Sequence, residues 1–297
     1  MKFYKFVTKI VTNLDYFKIA REFYMSRALS PLEAKLILRL EWERRPVVTI
    51  EQAMTILGVS YDHARQILHR LAKSRWLAPI VPGTYELIPA ERGEHAFVDT
   101  NPLFIGSALV EPYYFSFATA AFFHGLSTQA SATVYIATTI AKTRRLVVRD
   151  KEYRLVVQPA HKFFGAVEVE AYGSRVRMAE PEKTILDSLD RPAYAGGIPE
   201  VAAMLVHGKG QLNWKRLADY AVQFKSRALV QRLGYLCDVL ELPLDDDVRK
   251  TLLAHVGKTT SYLGQIERWE TGGAYNATWQ VVDNIPRHEL LAEIEVR

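Results

Sequence analysis

A chain of 297 residues with 49% hydrophobic and 24% charged residues has room for two or three domains, and it excludes a disordered or fibrous protein. The net charge of +5 permits nucleic-acid contact without demanding it. One cysteine, Cys237, excludes an intrachain disulfide and a cysteine-based zinc site, and no apolar run reaches the roughly 20 residues that span a bilayer.

Residues 1 to 29 form the first expected segment. Phe3, Phe6, Val7, Ile10 and Leu14 fall on one helical face, which Phe17, Ala20 and Tyr24 continue, with lysines and arginines interspersed. The start has a cation but no long apolar stretch and no small-residue cleavage site, so a cytoplasmic protein is expected. The segment is read as a helix that packs on the next domain or on a second subunit.

Ser30-Pro31-Leu32-Glu33 is a strong helix start, with a Ser cap, Pro in first position and an acid in the first turn. Leu32, Leu36, Ile37 and Leu40 give that helix a buried face, and it ends near Arg45-Pro46. Thr49 caps a second helix whose apolar residues are Ile50, Ala53, Met54 and Leu57, and Gly58 stops it. Val59 fills the turn and Ser60 caps a third helix, with Ala64, Ile67, Leu68 and Leu71 as its stripe. Pro82-Gly83 then separates two β-prone runs, Trp76 to Val81 and Thr84 to Ile88. Helix, turn, helix and hairpin in this order predict a winged helix-turn-helix over residues 30–92.

The third helix carries Tyr61, His63, Arg65, Gln66, His69, Arg70 and Lys73 opposite its stripe, and Arg75 just beyond. Asp62 is the one acid between 61 and 75. Cations neutralise phosphates, and Arg and Gln offer the paired donors that read guanine and adenine edges. Any soluble helix needs a polar face; the capped tight turn before this one and the hairpin after it favour the major groove of double-stranded DNA. The expected DNA-contacting set is Ser60, Tyr61, His63, Arg65, Gln66, His69, Arg70, Lys73, Arg75 and Gly83. A winged helix used only for protein contacts is the alternative.

Glu91-Arg92-Gly93-Glu94 reads as a hinge, and from Pro102 the pattern turns to mixed α/β, expected over 93–190. A short buried helix runs from Ser116 to Gly125, followed by strands at Thr133–Thr138, Leu146–Val148, Tyr153–Val157 and Val167–Ala171, and a shorter one at Val176–Ala179. Glu180-Pro181-Glu182 opens a helix whose Ile185, Leu186 and Leu189 should be buried, with Glu182, Lys183 and Asp187 partly exposed. Helices at 199–206, 213–224 and 226–241 and a fourth from Asp245 to His255 build a helical part of the same domain, 191–297, with an extended tail. The fold class expected is α+β and multidomain.

Catalytic and metal sites find little support. Glu168 and Glu170 project to one face of a strand, but no lysine follows at the spacing a metal-dependent nuclease needs, so that reading stays a rival. No phosphate-binding loop, dinucleotide fingerprint or nucleophile elbow occurs, and His124 reads as a satisfied helix-end histidine. Neither catalytic residues nor a cofactor is expected.

Tyr114 to Ser127 resembles the opening of the antitoxin domain of AbiEi-type proteins, predicted regulators of viral defence systems. The likeness continues in Met178-Ala179-Glu180-Pro181-Glu182-Lys183-Thr184-Ile185-Leu186-Asp187, in Gly196-Gly197-Ile198-Pro199-Glu200, and in Trp279 to Pro286. It covers roughly 49 to 290, with Pro-Glu-Lys-Thr-x-x-Asp its most specific element. It implies a DNA-binding repressor that also neutralises a nucleotidyltransferase toxin. Operators are commonly inverted repeats, so a homodimer or cooperative monomers are expected.

Overall fold

The computed structural model describes residues 28–92, 101–140, 144–171, 173–265 and 272–295. The expected helical face from Phe3 to Tyr24 and the hinge at Gly93-Glu94 lie outside the described residues. The chain divides into two compact units, Met1–Thr100 and Asn101–Arg297. Its class is α+β, with eleven α-helices and twelve strands among the described residues.

In the first unit α1 (Pro31–Trp42) begins in a reciprocal cap, where the Ser30 hydroxyl accepts from the Glu33 amide and Glu33 accepts from the Ser30 amide. The same device starts α2 (Ile50–Leu57), between Thr49 and Gln52. Gly58 ends α2 at φ 69°, in the left-handed region that a side chain would strain. Ser60 caps α3 (Tyr61–Lys73). β1 (Val47–Thr49), β2 (Leu77–Val81) and β3 (Thr84–Leu87) make an antiparallel sheet in the order β1-β3-β2. Leu36, Ile37, Leu40, Val48, Ile67, Leu68 and Leu71 from α1, β1 and α3 close its core, each at most 2% exposed. Each such side chain contributes about 1.5–3 kcal/mol through burial.

The second unit is built on a mixed sheet. Its strands are β4 (Tyr113–Phe115), β5 (Thr133–Thr138), β6 (Arg144–Val148), β7 (Lys151–Val157), β8 (Ala166–Ala171) and β9 (Ser174–Ala179), in the order β6-β7-β5-β4-β9-β8. The pairs β5/β7 and β4/β9 are parallel and the others antiparallel. A two-residue turn joins β6 to β7, with Arg149 and Asp150 both at positive φ (50° and 63°).

The helices of this unit are α4 (Pro102–Ser107), α5 (Phe117–Phe123), α6 (Pro181–Asp190), α7 (Ile198–Gly208), α8 (Trp214–Gln223), α9 (Arg227–Val239), α10 (Asp246–Leu253) and α11 (Arg287–Glu295). α6 touches α5, α7, α8, α9 and β9, so it lies at the centre of the unit. An apolar cluster runs from Ala121 through Leu186, Leu205 and Leu233 to Trp279 and Leu290. The segment from 261 onward is not merely extended: β10 (Ser261–Tyr262), β12 (Val281–Asp283) and β11 (Ala274–Asn276) form a small sheet, and α11 follows. Trp279 is fully buried against α9 at Gly234, where an added Cβ would stand 2.2 Å from the indole.

Candidate functional site

The two faces of α3 are cleanly divided. Ala64, Ile67, Leu68 and Leu71 are 0% exposed, while Tyr61, His63, Arg65, Gln66, His69, Arg70 and Lys73 are all exposed. A helix with its apolar stripe wholly buried holds the other face rigidly toward solvent. The start of that face is fixed by Ser60, whose hydroxyl accepts from the His63 amide at 3.4 Å.

The end of α3 is closed by two backbone bonds, Arg75 N–H to Ala72 O (3.2 Å) and Trp76 N–H to Leu71 O (2.9 Å). This pairing puts the residue after the cap in the left-handed region, and here that residue is Arg75, at φ 58°. Arginine thus stands where glycine is usual, exposed directly beyond the Lys73 turn.

Two members of the expected set are engaged elsewhere. Arg70 Nε donates to Glu33 Oε1 at 2.8 Å, tying α3 to the first turn of α1. Burial alone would raise the Glu33 carboxyl, but the Ser30 amide and the Arg70 guanidinium more than offset this and hold it below its ordinary value. Gly83, at φ 84°, sits in the hairpin turn, and its carbonyl accepts from the Ile50 amide at 3.1 Å. The hairpin is therefore fastened to the start of α2, and from Leu77 to Leu87 it carries no cation.

α6 of the second unit differs from its expected form. Glu182, Lys183 and Asp187, expected partly exposed, are each 0% exposed, as are Ile185, Leu186 and Leu189. Lys183 pairs with Asp187 one turn on and donates to the Tyr114 hydroxyl at 2.9 Å. Asp187 also accepts from Ser116 Oγ (2.7 Å), Tyr114 OH (3.2 Å) and Gln158 Nε2 (3.1 Å). The rings of Phe224, Tyr114 and Phe164 surround the Lys183 ammonium at 4.6 to 5.2 Å. Burial pushes the Asp187 carboxyl up and the Lys183 ammonium down, against their mutual attraction. Glu182 accepts from the Asn213 amide (2.7 Å) and pairs with Arg216 (2.9 Å), which fastens α8 to α6. The physical reason for the correction is enclosure: helices and a strand cover α6, and remote residues supply polar partners. These groups make the interior hold together and have no route to a partner surface.

His124 caps α5, and its Nε2 lies 2.7 Å from the Ala179 carbonyl, with burial lowering its pKa. Cys237 is buried and its thiol is pushed up by burial. No group of three or more His, Cys, Asp or Glu that could hold a metal ion occurs among the described residues. No described helix is long and apolar enough to cross a membrane.

The chain matches no protein-family model and no curated protein. Among solved structures it is similar to the RV2827C protein from Mycobacterium tuberculosis, with a TM-score of 0.58 over 90% of this chain and 96% of that one. At 20% identity the likeness is one of fold.

Proposed function

We propose that residues 30–92 form a winged helix-turn-helix and that the protein is a DNA-binding transcriptional regulator, a repressor, reading double-stranded DNA with α3. The observation that carries this is the divided helix: four apolar residues at 0% exposure against an exposed face holding Arg65, Gln66, His69 and Lys73. In the major groove Arg65 and Gln66 would reach base edges, and Lys73 and Arg75 would meet phosphates. Arg70 serves first as the link to Glu33, and the hairpin, which carries no cation, as a brace for α2.

The AbiEi resemblance of the second unit extends the proposal to neutralising a nucleotidyltransferase toxin. The surface for that task lies outside Glu182, Lys183 and Asp187, which are enclosed.

A gel shift with the protein's own upstream DNA tests the main reading. Specific binding is expected, with Lys73→Ala weakening all sequences alike and lowering the salt slope by about 1. Absence of a shift at low salt would leave the protein-contact reading of the unit in its place. Growth rescue on co-expression with a growth-arresting nucleotidyltransferase of the AbiE type tests the antitoxin extension.

A further inference from the structure

The groove between α1 and α2 is a second open surface of the first unit. Leu38 and Trp42 stand one turn apart on α1, 65% and 76% exposed. They border a groove of about 990 Å³ whose α2 side is formed by Glu51, Gln52, Thr55 and Ile56. A tryptophan and a leucine left open together, beside a concavity, cost hydration free energy that a partner would recover.

The charges of the groove say which partner. Glu43 is taken by Arg39 and Arg45, and the Arg39 guanidinium lies 5.1 Å over the Trp42 ring. Lys35 on α1 and Glu51 on α2 are exposed, and neither is in an ion pair with a described residue. Arg39 and Arg45 share the single Glu43 carboxylate and Lys35 has no acid among the described residues, so the α1 side is net positive while the α2 side carries the anion Glu51, and an apolar pair borders the space between them. Such a surface is complementary to itself under a two-fold rotation, because each copy offers the charge that the other lacks.

We propose that this groove receives a second copy of the chain, each protomer seating its Trp42 in the groove of the other and setting Lys35 against the partner's Glu51. The two indoles form the desolvated centre and the two charge pairs the rim. The residues lie on α1 and α2 and none is on the exposed face of α3, so the inference stands whether or not α3 reads DNA.

Sedimentation equilibrium of the full chain tests it. A dimer is expected, with Trp42→Glu weakening association by at least about thirtyfold. Lys35→Glu and Glu51→Lys should each weaken it roughly three- to tenfold, and the two together should restore it. A chain that stays monomeric up to about 100 μM would overturn the proposal. So would a dimer indifferent to Trp42→Glu, which would place association elsewhere, for instance in residues 1–27. If Trp42→Glu fails to fold, the charge exchange decides: restoration supports the two-fold contact and no restoration rejects it.

Discussion

α3 and α6 are helices of thirteen and ten residues, both rich in charge, and they use that charge in opposite directions. On α3 the cations point to solvent and only Arg70 turns back to bind another element. On α6 the residues from Glu182 to Leu189 are all buried, and their charges are matched by groups drawn from β4, the end of β7, α8 and α6 itself. The difference teaches that polarity does not report exposure: what surrounds a helix decides. α3 is covered on one side, so polar residues collect on the other; α6 is covered all round, so its polar residues are retained only with partners.

The largest effect should come from unpairing the α6 charges. Lys183→Met leaves Asp187 buried without its cation and should cost about 3–5 kcal/mol in urea unfolding. Adding Asp187→Leu should recover only part of that, because Tyr114, Ser116 and Gln158 then lose their acceptor. A cost within about 0.5 kcal/mol would mean that α6 behaves as an exposed helix, and the contrast would collapse.

On α3 the order of consequences reverses. Arg65→Ala or Gln66→Ala should leave the unfolding midpoint nearly unchanged yet cost about 1–3 kcal/mol of binding to a specific site. Arg70→Ala should do the opposite, lowering stability by removing the partner of Glu33 while changing DNA affinity less. Thermal unfolding and gel-shift titration on the same three variants separate these outcomes. Equal affinity losses for Arg65→Ala and Arg70→Ala would show that the Glu33 link yields to DNA.

The smallest effect is one of pH. Glu33 titrates below its ordinary value of 4.5 in the folded unit, so its contribution is complete above that value. It is lost as the pH falls through the lowered folded value. Thermal midpoints should therefore drop below about pH 4.5, and Glu33→Gln should flatten that part of the profile. An unchanged profile in the variant would assign the acid sensitivity to other carboxylates.

The first unit was largely legible because its signals are local. Ser30, Thr49 and Ser60 cap helices within three residues of their partners, and Gly58 marks its own turn. The stripes of α2 and α3 keep a period of 3.6, with Met54 only half-buried. β1 has no sign in the sequence, because three residues are too few to establish a period and its pairing to β3 spans nearly forty positions. The Glu33–Arg70 bond, 37 residues apart, has no local sign either.

In the second unit β4 was illegible for another reason. Tyr113, Tyr114 and Phe115 are all buried, so a central strand shows no polar alternation. In α6 the apolar positions Ile185, Leu186 and Leu189 could be placed from their spacing. The enclosure of Glu182, Lys183 and Asp187 could not, since it depends on Tyr114, Ser116, Gln158 and Arg216, which only the fold brings near.

The strand order of the large sheet has a consequence in time. β6 and β7 are joined by the Arg149-Asp150 turn, and β8 pairs with β9 from Ala171 opposite Ser174, so each pair closes a very short loop. The middle of the sheet sets Phe115 beside Met178, more than sixty positions along the chain. Each doubling of the closed length adds about 0.6 kcal/mol of entropy to the encounter. Two hairpins are thus available early, while the β4/β9 seam must wait for them. Asp187, which binds Ser116 at the end of β4, is satisfied only when that seam closes. Without that seam the charges of α6 lack the Tyr114 and Ser116 hydroxyls, so closing the sheet and solvating the ion pair by protein are one event.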